Sequence, residues 1–188
     1  MKDNFKTIIN DKSKVSLTKD LLAMYLYTYF PPRQRRDYYE MIYVNMLSDD
    51  VKNMNKNVNY VTQDKKFIFN NYKNMNKYNQ QIFDYPDEIY DLIKFINYQN
   101  SERLFIIDKD YKFSEYISQI FDTHSLNDTG LWPGEQKDIP HMNIREIRKS
   151  YVKFIKDQLK SKVITSNDYD NMIIKMGGSI ESELPNLD

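Results

Sequence analysis

The stretch Asn143–Phe154, NIREIRKSYVKF, constrains this chain more than any other. Ile147, Tyr151, Phe154 and Ile155 recur at helical spacing, so the pattern predicts an amphipathic helix from about Asn143 to Ser161. Arg145, Arg148 and Lys149 fall close to its start. Cations there oppose the helix macrodipole, which favours negative charge at an N-terminus. A fold tolerates them most readily when they face an anion outside the helix, such as a phosphate. The plainer reading is the solvated face of an amphipathic helix.

Composition narrows the chemistry. The 188 residues suffice for one domain of ordinary size. With 27 basic and 27 acidic residues there is no global attraction to a polyanion, so any phosphate binding must come from local clustering of charge. The absence of cysteine removes disulfides, thiolate catalysis and Cys-ligated zinc. His124 and His141 are the only histidines, which argues against a histidine-rich metal site, and no cofactor is expected. No apolar run approaches the roughly 20 residues needed to span a bilayer. The opening MKDNFKTIINDKSK has no signal-peptide apolar region, so an intracellular protein without a membrane partner is expected.

Along the chain, residues 1–15 form a polar lead-in, residues 16–179 one domain and residues 180–188 an acidic tail. Leu17, Leu21, Met24, Tyr25 and Thr28 predict a first helix, with Ser16 or Thr18 as its N-cap. Phe30-Pro31-Pro32 ends it, because proline lacks an amide donor and disfavours helix in the residue before it. Arg33, Arg35, Arg36 and Asp37 follow at once. Met41–Met46 reads as a strand or the end of a short helix, and Asp49–Asn59 as loop. Tyr60–Thr62, Lys66–Asn70 and Gln80–Tyr85 predict antiparallel strands, with Lys73 and Lys77 on the polar turn Asn71–Asn79. Pro86 is expected at the first helical position of a helix whose apolar stripe is Ile89, Leu92, Ile93 and Ile96. A short apolar run, Leu104–Ile107, precedes a helix over Phe113–Phe121 and a loop over 122–140 that holds the only tryptophan. Thr165 or Ser166 caps a last helix over Asp168–Met176, and Gly177-Gly178 terminates it. The expected fold class is mainly α with a small antiparallel β-meander, an α+β domain.

Arg33 after the first helix, Lys73 on the hairpin and Arg148 on the basic helix form a constellation suited to a phosphodiester. Guanidinium forks hold non-bridging oxygens and stabilise charge building in a pentavalent transition state. A lysine ammonium can protonate the departing hydroxyl oxygen. In order and local sequence, LLAMYLYTYFPPRQRRDYYEM, FIFNNYKNMNKYNQQIFDYPDEIYDLIKFI, IREIRKSYV and DNMIIKMGGS resemble the catalytic domain of tyrosine recombinases, the phage-type integrases, in the version found in large DNA viruses and mobile elements. The resemblance spans about Leu17 to Ser179 and implies a role in DNA recombination or integration. It makes Arg33 the first catalytic arginine, with Arg36 the competing register. Lys73 becomes the hairpin lysine, with Lys77 as fallback, and Arg148 the second arginine. Arg36, Lys77, Arg145 and Lys149 would add contacts to DNA phosphates.

The departures from that family are equally specific. Arg145 stands where the family has the histidine of its His-x-x-Arg box, and Gly178 where it has a second histidine. The tail from Ser179 carries no tyrosine, with Leu187 near the expected nucleophile position. Tyr151 and Tyr169 precede that turn and read as core or surface aromatics. No nucleophile is therefore assigned, and an N-terminal DNA-clamping domain is not seen. The expectation is a domain that binds duplex DNA through its backbone, with cleavage impaired unless another recombinase subunit supplies the tyrosine. The alternative is a non-enzymatic helical interaction module whose basic residues are solvated.

Overall fold

The computed structural model describes residues 15–51, 53–98, 103–105, 110–124 and 142–180. In chain order these form α1 (Val15–Thr28), α2 (Arg35–Tyr39), β1 (Ile42–Val44), α3 (Ser48–Val51), β2 (Tyr60–Thr62), β3 (Lys66–Phe69), α4 (Met75–Tyr78), β4 (Gln81–Asp84), α5 (Asp87–Tyr98), α6 (Asp110–His124), α7 (Ile144–Lys160) and α8 (Ser166–Lys175). The expected lead-in and tail lie outside the described residues, apart from Val15 and Ile180, as does the expected loop from residue 125 to 140.

The domain is α+β, with one correction to its sheet. β2, β3 and β4 make the expected antiparallel meander, with Tyr60 opposite Ile68 and Phe67 opposite Phe83. β1 adds to it in parallel, Ile42 beside Tyr60, so the four-stranded sheet is mixed, in the order β1-β2-β3-β4. The parallel pairing follows from the long connection 45–59, which carries the chain back across the sheet and contains the α3 turn within the expected loop. One face of the sheet is buried in the main core and the other is partly covered, with Ile82 of β4 exposed, and side-chain alternation assigns the faces. Val61, Phe67 and Phe69 join the main core with α1, α5 and α6, whereas Tyr60 and Ile68 meet Val51 on the other side.

Helix ends differ from expectation where tertiary packing decides them. Neither Ser16 nor Thr18 caps α1, which already includes Val15; Thr18 is fully buried inside the helix. Pro86 precedes α5, and its carbonyl accepts from the Ile89 and Tyr90 amides at 3.1 and 3.2 Å. The stripe Ile89, Leu92, Ile93 and Ile96 is buried as the periodicity predicts. The polar turn after β3 closes a single helical turn, α4.

α7 joins two apolar clusters. Its first half sends Ile144 and Ile147 into the main core; its second half packs Val152 and Ile155 against Tyr169, Ile173 and Met176 around α8. Asn143 caps α7 by accepting from the Glu146 amide at 3.1 Å. Thr165 and Asp168 form a reciprocal capping box on α8. At the far end the Gly178 amide reaches the Ile173 carbonyl and the Gly177 amide the Ile174 carbonyl, a Schellman closure.

The strand ends carry one acid-sensitive contact. Burial alone would raise the Asp64 carboxyl. Hydrogen bonds from the Ser48 hydroxyl (2.6 Å), the Ser48 amide (2.9 Å) and the Thr62 hydroxyl (2.6 Å) hold it below its ordinary value. A carboxyl depressed in the folded state stabilises above its unfolded value and loses that contribution as pH falls through the folded one. Thermal unfolding followed by circular dichroism should therefore show Asp64→Asn with a shallower loss of stability below about pH 4 than the parent chain.

A basic groove beside the C-terminus of α8

The end of α8 is the point where distant parts of the chain meet. A helix C-terminus leaves carbonyls without intrahelical partners. The Schellman closure satisfies those of Ile173 and Ile174. Arg33 Nη1 donates to the Lys175 carbonyl at 2.6 Å, and Arg148 Nη1 to the Met176 carbonyl at 2.9 Å. Gln81 Nε2 donates to the Ile174 carbonyl at 3.1 Å, and Asn74 Nδ2 to the Gly177 carbonyl at 2.8 Å. Four successive carbonyls thus receive side chains from the segment before α2, from α7, from β4 and from the turn before α4. Two of those donors are cations at the negative end of the α8 dipole, the favourable arrangement.

Arg33 is spent inside the fold. It is 1% exposed. Its Nε donates to Asp37 Oδ2 at 2.8 Å, its Nη1 also donates to Gln81 Oε1 at 2.7 Å, and its guanidinium carbon lies 3.8 Å from the Phe69 ring centre. Nη2 is buried without a hydrogen-bond partner. Gly177, at φ +67°, closes over it: a Cβ there would lie 3.1 Å from Nη2 and 3.3 Å from Asp37 Oδ2. Burial pushes the Asp37 carboxyl up, against the opposing pull of Arg33 and Arg148. Of the two registers read from RQRRD, the acid pairs with Arg33, four residues before it, while Arg36 is exposed on α2.

Arg148 sits at the boundary between this knot and the surface. Besides the Met176 carbonyl, its Nη1 reaches the Pro32 carbonyl at 2.7 Å. The double proline leaves that carbonyl in extended chain, outside any helix or strand ladder. On the outer side Arg148 lines a surface groove of about 470 Å³ with Gln34, Arg35, Asn143, Arg145 and Lys149. The walls of this groove hold four cationic side chains and no carboxylate among the described residues. Lys149 also bonds Glu146 at 2.8 Å on the helix surface.

The predicted residues therefore divide. Arg145, Arg148 and Lys149 come together, and Arg35, given no role in the sequence reading, completes the groove. Arg33 is a buried tie on the inner side of the same segment. Lys73 is exposed on its turn and lines neither this groove nor the apolar one beside Arg33; Lys77 is exposed with its ammonium 5.3 Å from the Tyr78 ring. Tyr169 is a core residue at 1% exposure. Tyr151, half-buried, lines the apolar groove with Phe30, Phe83 and Met172, where burial pushes its hydroxyl up. Asp37, Gln81 and Gly177 were not expected to matter to the site. Only the four-residue spacing of Arg33 and Asp37 hinted at the first of them.

Among the described residues, no cluster of histidine or carboxylates could hold a metal, and no helix is long and apolar enough to cross a membrane. Comparison with protein-family models, curated proteins and solved structures found no significant match.

The knot makes a stability prediction that separates its members from the groove. Arg33→Gln strands Asp37 in the interior and should cost about 3–5 kcal/mol in denaturant unfolding. Gly177→Ala, forced into the left-handed region against Nη2, should cost about 1–2 kcal/mol. Arg145→Ala, exposed in the groove, should stay within about 0.5 kcal/mol of the parent.

Proposed function

We propose that this chain is a duplex-DNA-binding domain of tyrosine-recombinase type, which holds backbone phosphates in the groove of Arg35, Arg145, Arg148 and Lys149 and is impaired in cutting them. The observation that carries the reading is the groove itself: four cations, a glutamine and an asparagine converge there with no carboxylate among the described lining residues. Arginine forks match phosphate oxygens in pairs, and Arg148 arrives pre-oriented because two carbonyls fix one of its nitrogens. Such a site recognises phosphate without reading bases, so it favours affinity over sequence choice.

The order of the arginine box, lysine hairpin, second arginine box and glycine turn supports the recombinase comparison. Impairment follows from what occupies its positions. Arg145 and Gly178 replace two histidines, so no imidazole is available there for proton transfer. Arg33 is sealed from solvent, so its guanidinium does not line the groove. Tyr169 is buried and Tyr151 lies in the apolar groove, so neither offers a hydroxyl to a phosphate held by Arg145 and Lys149.

Binding to an end-labelled duplex, followed by fluorescence anisotropy across a salt series, tests this reading. The parent chain should bind at low salt, with a steep fall in affinity as salt rises. Arg145→Ala/Lys149→Ala should bind more weakly, with a slope shallower by about 1–2, since each phosphate that is no longer neutralised removes about 0.9. Denaturing gels should show no covalent adduct. An adduct would overturn the impairment, and no binding at low salt would leave the basic residues as a solvated face of an interaction module.

A further inference from the structure

We infer that α7 carries a second, extended contact to the nucleic-acid backbone, a lysine rail running from the groove along the outer face of the helix. This inference rests on the duplex-binding reading and adds to it the direction in which the polyanion leaves the groove. Arg145, Lys149, Lys153, Lys156 and Lys160 recur at spacings of four, four, three and four residues. At about 100° per residue that spacing keeps all five within a sector of about 80° on one side of the helix. Across those fifteen steps the rail is about 22 Å long at 1.5 Å per residue. Duplex DNA presents one phosphate per strand about every 3.4 Å of axis, so a rail of this length spans several.

The rail is continuous with the groove. Lys149 and Val152 line both the basic groove and a shallow depression of about 370 Å³ bordered by Lys153, Lys156, Asp157 and Lys160. Lys153 and Lys160 are exposed and Lys156 is half-buried, and none of the three is paired with a described residue. Asp157, at the edge of the stripe, is the single carboxylate lining that depression among the described residues.

The chemistry of the rail selects among polyanions. A lysine is a mobile point charge, suited to following a regular array of phosphates, and is depleted from the cores of protein–protein interfaces. A membrane surface would require α7 to lay an apolar face into the lipid beside its lysines. That face is taken, because Ile144, Ile147, Val152 and Ile155 are buried in the fold, and the exposed Phe154 is a lone apolar side chain about 100° round the helix from the nearest rail residue. The backbone of a duplex remains as the partner that needs charge alone.

Lys153→Gln/Lys156→Gln/Lys160→Gln tests the rail in the full chain, with the groove intact and helix propensity nearly unchanged. Duplex affinity should fall at low salt, and the salt slope should become shallower by about 2–3, at roughly 0.9 for each phosphate the lysines had neutralised. An unchanged slope, with Arg145→Ala/Lys149→Ala still weakening binding, would reduce the rail to a solvated face while leaving the groove reading in place. Failure of the parent chain to bind duplex would overturn both. Phosphatidylserine vesicles captured through these three lysines, with no duplex binding, would reassign the rail to a lipid surface.

Discussion

The carbonyls at the end of α8 tie together four segments that are far apart in the sequence. A helix terminus in contact with a core cannot leave its carbonyls bare, and backbone closure accounts for only some of them. Here the carbonyls of Lys175, Met176 and Gly177 are met by Arg33, Arg148 and Asn74, and Gln81 adds a second donor to that of Ile174, across 142, 28, 103 and 93 residues. The end of α8 therefore contacts the segment after α1, the last strand, the turn before α4 and the first half of α7. The groove is the outer surface of that junction.

The two arginines of the junction show how burial divides one chemistry into two roles. Both bond to successive carbonyls of one helix end. Arg33 goes on to a carboxylate, an amide and an aromatic face, and its charge is neutralised where water does not reach. Its unpartnered Nη2 is what that enclosure leaves over, a donor given up so that Gly177 can pass over it. Arg148 stops one layer further out, at the edge of a groove lined by other, exposed cations. A buried ion pair is weak evidence for stability in itself, and its better-supported use is to specify one arrangement over others. For Arg33 and Asp37 that arrangement is the alignment of α2 with the end of α8.

Legibility in the sequence followed the range of the interactions. The stripe of α5, the extent of α7, the Thr165 cap of α8 and the glycine stop after α8 depend on neighbours within a few residues, and they were read correctly. β1 was not readable as a parallel strand, because its pairing is set by where a fifteen-residue connection deposits it rather than by Ile42–Val44. The site was legible in part for the same reason. Arg145, Arg148 and Lys149 share a helix, so spacing alone gathers them. Arg33 looked like their natural companion, yet its burial depends on Gln81, Phe69 and Gly177, which no local pattern links to it. Lys73 shows the opposite limit: its hairpin was read correctly, but local sequence says nothing of which way a turn faces.

Gly177 carries a consequence for how the domain opens. Among the described residues the cluster around α8 is small, with five buried apolar side chains and a rim of partly buried ones. Its attachment depends on a glycine thin enough for Arg33 and Asp37 to lie against the backbone that Arg148 and Asn74 also grip. The acceptors lie on consecutive peptide units, so local opening of the helix end would loosen them together. The end of α8 thus acts as a latch on the cationic surface: Arg148 is aimed at the groove by two carbonyls, Met176 at the helix end and Pro32 on the segment after α1.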